Sequence, residues 1–294
     1  MPIPSMMPQA GNTPRITIIV AAYNAARTIA RCIDSVAAQT YLSRELIVID
    51  GGSTDGTLDV LRQKSDRISY WISEPDSGVY NAWNKGLQHA SGEWVGFLGA
   101  DDYLWSSDAL EYVVRQFDKV FPRVRIIYGR VGFVSAQGEL IETFGRPWQQ
   151  IRDAFRHRMV IPHPAVLCHR TLFEEHGMFD ESFRISGDYE WLLRELKEGE
   201  AFFVEGPVVV GMQAGGMSSQ AHRGVQIFSE TQRAQAKHGL KPNPAIRAWT
   251  GLKAYVRTGA SVVLGEHLAG SVVNRLRWLR ARLRKRDASL RRES

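Results

Sequence analysis

At 294 residues the chain is long for a single domain, but within reach of one α/β domain carrying extensions. Its composition, 44% hydrophobic and 23% charged, is that of an ordinary globular protein, and two cysteines, Cys32 and Cys168, exclude a disulfide framework or a zinc cluster. The formal net charge of +6 is uneven: Arg275 to Arg292 hold nine Arg or Lys against Asp287, which leaves a slightly acidic body and a strongly basic tail.

The first residues, MPIPSMMPQAGNTPR, have no basic stretch followed by an apolar run, so no signal peptide is expected and residues 1–14 read as a flexible segment. Both cysteines are expected to be buried, in a reducing compartment. ITIIVAAY (Ile16 to Tyr23) is an apolar, β-branched run of strand length, and ELIVID (Glu45 to Asp50) is a second. Between them Ile29, Cys32, Ile33 and Val36 follow helical spacing. A turn rich in glycine, Gly51 to Gly56, leads into the helix-like TLDVLRQKS, then the strand-like ISYWIS, the helix-like VYNAWNKGLQHA and the strand EWVGFLG. Strands alternating with helices predict a mostly parallel central sheet with helices on both faces.

In such a sheet, ligands bind at the carboxyl ends of the strands. Those ends carry Tyr23 and Asn24, then Asp50, then Glu74 to Gly78, then Asp101 and Asp102. Polar loops alone explain any one of them; the glycines of DGGSTDGT add the option of close ligand approach. Val124 to Phe144 reads as strands around a turn at Gln137-Gly138, and SGDYEWLLRELKEG as a helix with Asp188 in its first turn. A strand-like VVVGM follows Gly206, then a loop and helices, with a boundary near residue 240 at KPNP. TGASVVLGEHLAGSVV is broken by glycines, Glu266 and His267, so it is no membrane span.

The strand-end edge has no Ser-His-Asp order, no thiol beside a base, no Walker loop and no G-x-G-x-x-G after the first strand. Several carboxylates without a basic phosphate cradle point to a divalent cation, Mg²⁺ or Mn²⁺, as the carrier of phosphate charge.

TIIVAAYNAARTIARCIDSVAAQTY, ELIVIDGGSTDGT and SEPDSGVYNAWNKGLQHASGEWVGFLGADDYL together resemble the family 2 glycosyltransferases of GT-A fold, and most of all the branch that builds bacterial exopolysaccharides and related glycans. The resemblance spans residues 15 to 105 and is traceable to about residue 212. It implies a GT-A domain over 15–240, with a nucleotide-sugar half (15–105) and an acceptor half (106–240), followed by a helical basic extension (241–294).

By the same resemblance, Ala22, Tyr23 and Asp50 hold the nucleotide base and ribose. Asp76, Ser77 and Gly78 line the pocket, with Asn84 and Lys85 on the helix behind. The family's D-x-D motif falls on Gly99-Ala100-Asp101, which leaves Asp101 as the metal ligand with Asp102 beside it. The family's "ED" pair reads Gly187-Asp188, and Asp188 takes the role of catalytic base. His163 falls where the family places acceptor-side residues, although a histidine between prolines is as often structural; Trp191 is an acceptor-side candidate for stacking on sugar, with core packing the default for aromatics. Ser218, His222 and Arg223 sit in a loop suited to closing over a diphosphate.

The implied activity is inverting, metal-dependent transfer from a nucleotide sugar, UDP-linked, to a glycan or lipid-linked acceptor. A catalytically silent nucleotide-sugar-binding module, suggested by Gly99 and Gly187, and a sugar-nucleotide pyrophosphorylase-like enzyme are the competing readings. In the tail, Leu276, Leu279 and Leu283 have helical spacing among arginines, the pattern of an interfacial helix on an anionic bilayer. A solvated tail and a nucleic-acid contact are the alternatives, the latter the less favoured. The expected location is cytoplasmic, peripheral at the inner face of the membrane.

Overall fold

The computed structural model describes residues 13–135, 138–214 and 220–264. The first half runs β1 (Ile16–Ala22), α1 (Ile29–Ala37), β2 (Arg44–Asp50), α2 (Thr57–Gln63), β3 (Tyr70–Ser73), α3 (Val79–His89) and β4 (Trp94–Gly99). The second continues with β5 (Tyr103–Leu104), α4 (Ala109–Val114), α5 (Phe117–Val120), β6 (Ile126–Val134), β7 (Leu140–Phe144) and α6 (Trp148–Phe155). Then come β8 (Val166–His169), α7 (Thr171–His176), α8 (Gly187–Leu196), β9 (Phe202–Gln213), α9 (Gly224–Lys237) and α10 (Pro244–Leu264).

All nine strands join one sheet in the order β3-β2-β1-β4-β8-β6-β9-β5, with β7 paired to β6. The parallel character predicted from the sequence belongs to β3, β2, β1 and β4. Beyond β4 the sheet is mixed: β8 is antiparallel to both β4 and β6, whereas β6 and β9 run parallel. Only β6 and β7 are joined by a short return; β8 reaches β4 and β6 after long connections that include α6. The strand expected after Gly206 is longer than its apolar run suggests, because β9 starts at Phe202 and passes through Gly206 and Pro207. Gly206 adopts φ +145°, and the register with β6 shifts at this point, so the pair acts as a bulge rather than a terminator.

Period-2 alternation splits the apolar residues of each strand between two cores. Ile16, Ile18, Val20, Leu46 and Val48 pack toward α1 and α4, with Cys32 among them. Ile19, Ile47, Ile49 and Phe97 pack on the other face with Tyr80 and Trp83 of α3 and with Trp191 and Leu192 of α8. Both cysteines are free and buried, as expected.

Helix α3 lies close on the sheet because Gly86 has no side chain. A Cβ there would stand 2.4 Å from Ile19 Cγ2. Neither the strand nor the helix has room to yield, so Gly86→Ala is expected to lower stability by about 1–3 kcal/mol. A urea unfolding midpoint equal to that of the unmodified protein would show that α3 does not sit this close to β1.

Candidate functional site

The parallel register aligns four strand ends. Ala22 stands opposite Asp50, Asp50 opposite Ser73, and Ala21 opposite Gly99. Tyr23, Asp50, the 74–78 loop and the 99–102 turn therefore share one edge of the sheet, as the sequence predicts. Asp50 is fully buried, and its carboxylate is met by four donors. Gly52 N and Ser53 N lie 3.1 and 2.9 Å from Oδ2, Ser73 Oγ lies 2.6 Å from the same oxygen, and Ser53 Oγ lies 2.5 Å from Oδ1. A buried charge requires such partners, and they fold the loop after β2 around it. Ser53 Oγ in turn accepts from Asn24 N at 2.7 Å, while Asn24 Oδ1 accepts from Thr54 N at 2.9 Å. The loops after β1 and β2 are thus laced together, and Tyr23 projects from them, 67% exposed.

The loop after β3 docks on the same edge. Asp76 Oδ2 lies 2.5 Å from where a Cβ of Gly51 would be, so only glycine admits it. Its other oxygen accepts from Gly78 N at 2.8 Å. Lys85 anchors this loop from α3, with Nζ 2.7 Å from Glu74 Oε1 and 3.1 Å from Pro75 O.

At the end of β4, Asp102 is buried and Asp101 half-buried. Asp102 Oδ2 accepts from Gly99 N at 3.1 Å, and the Gln213 backbone also bonds to this carboxylate. Burial holds both carboxyls above the usual range, and Asp102 is raised further by the charge of Asp101. Arg31 partly offsets this. Its Nη2 donates to Asp101 O at 3.0 Å and to Gln213 Oε1 at 2.6 Å, and its guanidinium sits 4.2 Å over the Tyr103 ring. Gly99 also has a steric reason: a Cβ there would meet Asp101 Oδ1 at 2.7 Å and Asp102 Oδ2 at 3.2 Å.

Asp188 stands in the first turn of α8 and approaches the edge through α3. Tyr80 Oη lies 2.6 Å from Ile185 O and 3.3 Å from Asp188 Oδ1, which also accepts from Tyr189 N at 2.8 Å. Enclosure raises the Asp188 carboxyl to about 6; the Tyr189 amide and the Tyr80 hydroxyl oppose that rise, and Glu230 adds to it. The preceding segment is clamped from α9, where Glu230 accepts from the amides of Arg184, Ile185 and Ser186. Gly187 lies against Tyr80, whose ring carbon would be 2.7 Å from a Cβ at that position. The exposed Arg184 reaches back toward the 76–78 loop, with Nη1 3.5 Å from the Cβ position of Gly78.

Three of the expected residues are buried in the fold. His163 is buried, stacked on Trp83 at 5.1 Å and on Phe97 at 5.9 Å, and burial lowers its pKa to about 4. Trp191 is also buried: it stacks on Phe173 at 4.2 Å and donates its indole N–H to Gly177 O at 2.9 Å. Asn84 is buried too, and its amide bonds to Phe179 and Glu181 instead of reaching the nucleotide edge. Ser218 lies outside the described residues, as does the basic tail. His222 and Arg223 occupy the short turn before α9, which packs on α10 where Arg257 donates to Gln220 O.

Arg31, Tyr80, Arg184 and Glu230 are site residues that sequence reasoning missed. Arg31 and Asp101 are 70 positions apart, and no local pattern links them. A separate surface hollow, at the amino-terminal end of β2 between Asp34, Arg44 and Arg67, lies away from this edge. Among the described residues, no group of three or more His, Cys, Asp or Glu is placed to hold a metal ion.

Comparison with known proteins agrees with this geometry. The pattern of the family described as "Glycosyl transferase family 2" matches residues 17–176. A PGL/p-HBAD biosynthesis glycosyltransferase of Mycobacterium bovis is 33% identical over 184 residues, which cover 62% of this chain and 69% of that protein. An uncharacterized glycosyltransferase of Rickettsia typhi is 28% identical over 204 residues, covering 67% and 63%. Among solved structures, S. aureus TarS 1-349 in complex with UDP-GlcNAc superposes with TM-score 0.64 at 18% identity, over 91% of this chain and 79% of that one. The mannosyltransferase PcManGT from Pyrobaculum calidifontis, in complex with GDP-Man and Mn²⁺, gives 0.59 at 21% identity, over 92% and 81%. The two structural likenesses speak for the GT-A fold, and the match over residues 17–176, more than half of the chain, carries the assignment: the chain belongs to glycosyl transferase family 2.

Proposed function

We propose that the protein transfers a sugar from a UDP-linked donor to a hydroxyl of a glycan or lipid-linked acceptor, with inversion at the anomeric carbon. The observation that carries this reading is Asp188, a carboxylate enclosed at a helix start and raised to about 6, joined to the donor edge through Tyr80. A base of that strength remains ionised at neutral pH yet takes a proton more readily than an ordinary aspartate. As the acceptor oxygen attacks the anomeric carbon, Asp188 takes its proton while the bond to the nucleoside diphosphate breaks. One displacement inverts the centre, and no covalent enzyme intermediate is needed.

The donor lies along the strand ends, with Ala22, Tyr23 and Asp50 at the nucleoside and the 76–78 loop beside it. Asp50 contributes through the loop it organises, because its own oxygens are occupied by protein donors. Arg184, exposed over the start of α3, is the described cation best placed to offset charge on the departing diphosphate. The bound UDP-GlcNAc of TarS and GDP-Man of the mannosyltransferase support a nucleotide sugar as donor class.

The acid pair suits a divalent cation. Two adjacent carboxyls, both raised by burial, gain from a hard cation with oxygen ligands, and Mn²⁺ accompanies the donor in the mannosyltransferase. Asp101 would hold it with Asp102 alongside, and the bound cation would neutralise diphosphate charge. Two carboxylates fall short of a full coordination shell, so the nucleotide's phosphate oxygens would be needed to complete it. The acceptor places the enzyme at the cytoplasmic face of a membrane, with the 275–292 tail as a peripheral contact. No helix of the described residues is long and apolar enough to cross one.

Asp188→Asn is expected to abolish metal-stimulated UDP release while UDP binding survives. A variant that turns over normally would remove Asp188 as base, and binding without turnover across donors and acceptors would favour a silent module. In the unmodified enzyme the rate should rise with pH around a midpoint of about 6. The stability sign is opposite. A carboxyl raised in the folded state binds more protons there than when unfolded, so stability falls as pH rises from the unfolded value through about 6. Asp188→Asn should therefore melt at or above the unmodified protein at neutral pH, whereas a purely structural aspartate would leave the variant less stable.

For the metal, Mn²⁺ titration should give weak binding that tightens roughly tenfold or more with UDP present. Asp101→Asn should erase the difference. Equal Mn²⁺ affinities with and without UDP would contradict the shared coordination shell.

A further inference from the structure

Helix α10 is packed with its apolar face outward. Toward α9 it presents small residues, Gly251, Ala254 and Thr258. Val225 N donates to Thr258 Oγ1 at 3.2 Å, a Cβ on Gly224 would lie 2.9 Å from Ala254 O, and the Phe228 ring comes within 3.1 Å of the Cβ position of Gly251. The large side chains point away. Trp249, Leu252, Tyr255, Val256 and Val262 are between 56% and 78% exposed. Trp249, Leu252 and Val256 follow i, i+3, i+7 spacing and form one stripe. A helix of a water-soluble domain normally buries such a stripe, so an outward one marks a surface with a partner.

The charge around the stripe selects that partner. From His238 to Leu264 the chain holds Lys241, Arg247, Lys253 and Arg257 and no acidic residue. Lys253 Nζ sits 4.6 Å over the Trp249 ring, so a cation and an amphipathic aromatic share the edge of the stripe. Tryptophan and tyrosine beside cations suit the boundary between acyl chains and headgroups. A second copy packed through this face would bring its lysines and arginines toward like charges, with no acid in the segment to answer them.

We propose that the outward face of α10 lies in the interface of an anionic bilayer, with Trp249, Leu252 and Val256 inserted and Lys241, Arg247 and Lys253 among headgroups. This rests on the membrane partner of the proposed function, but places the contact in a folded helix ahead of the basic tail. The geometry also orients the domain, because α10 packs on α9, and α9 supplies the Glu230 clamp behind Asp188.

The test is sedimentation of the full chain with vesicles of phosphatidylcholine alone and with about one third phosphatidylglycerol. Binding is expected only to the anionic vesicles, and Leu252→Gln with Val256→Gln should weaken it roughly tenfold. Melting temperature and UDP release in solution should stay unchanged, which keeps this outcome separate from the fate of the sugar-transfer reading. Double-variant binding equal to the unmodified protein would overturn the proposal and leave vesicle affinity to the tail alone. A dimer by light scattering that the double variant converts to monomer, without vesicle binding, would overturn it in favour of a second copy. Should the double variant fail to fold, quenching by brominated lipid decides: it is expected in the unmodified protein and reduced in Trp249→Phe, and equal quenching in both would overturn the insertion.

Discussion

A carboxylate withdrawn from water must find donors, and the chain answers that demand to different degrees at different places. Asp50 receives two amides and two hydroxyls, and the loop after β2 is shaped by them. Glu230 receives three consecutive amides, which fix the segment leading into α8. Both are spent on architecture. Asp188 has one amide and a share of a tyrosine hydroxyl, and the pair at Asp101 and Asp102 has backbone contacts and a neighbouring arginine. Burial raises the proton affinity of Asp101, Asp102 and Asp188. Saturated acids hold the frame, and unsaturated ones remain available for a proton or a cation.

Helix α3 connects the two groups. Its start carries the loop that meets Gly51, its second residue reaches Asp188, and Asn81 and Asn84 bind Glu181 on the opposite wall. The aromatic layer beneath it, Trp83 with Phe97, His163 and Phe179, makes that wall continuous with the sheet. Rigid packing of this kind transmits small displacements, so the spacing between donor edge and base depends on side chains that touch neither substrate.

Much of the first half was legible because each signal was local. Apolar runs, helical spacing and glycine turns predicted β1 to β4 and their order, and parallel pairing then dictated which ends would meet. The second half was less legible, since β8 and β6 pair antiparallel and β9 continues through a glycine and a proline that resemble a stop. Within the candidate site, Asp188 was singled out through the motif it resembles. Its partners were not, because Tyr80 lies 108 positions away and the Glu230 clamp spans 44 to 46. The burial of His163 and Trp191 was not legible either, because residue type announces an aromatic or an imidazole, but only packing decides whether it turns inward.

The two glycines that interrupt family motifs are occupied positions rather than gaps. The space beside Gly99 is filled by the Asp101 and Asp102 carboxylates, and the space beside Gly187 by the Tyr80 ring. A carboxylate at either place is blocked while its present neighbour stays where it is. Each glycine and the side chain covering it form a coupled pair, so the order of substitutions matters.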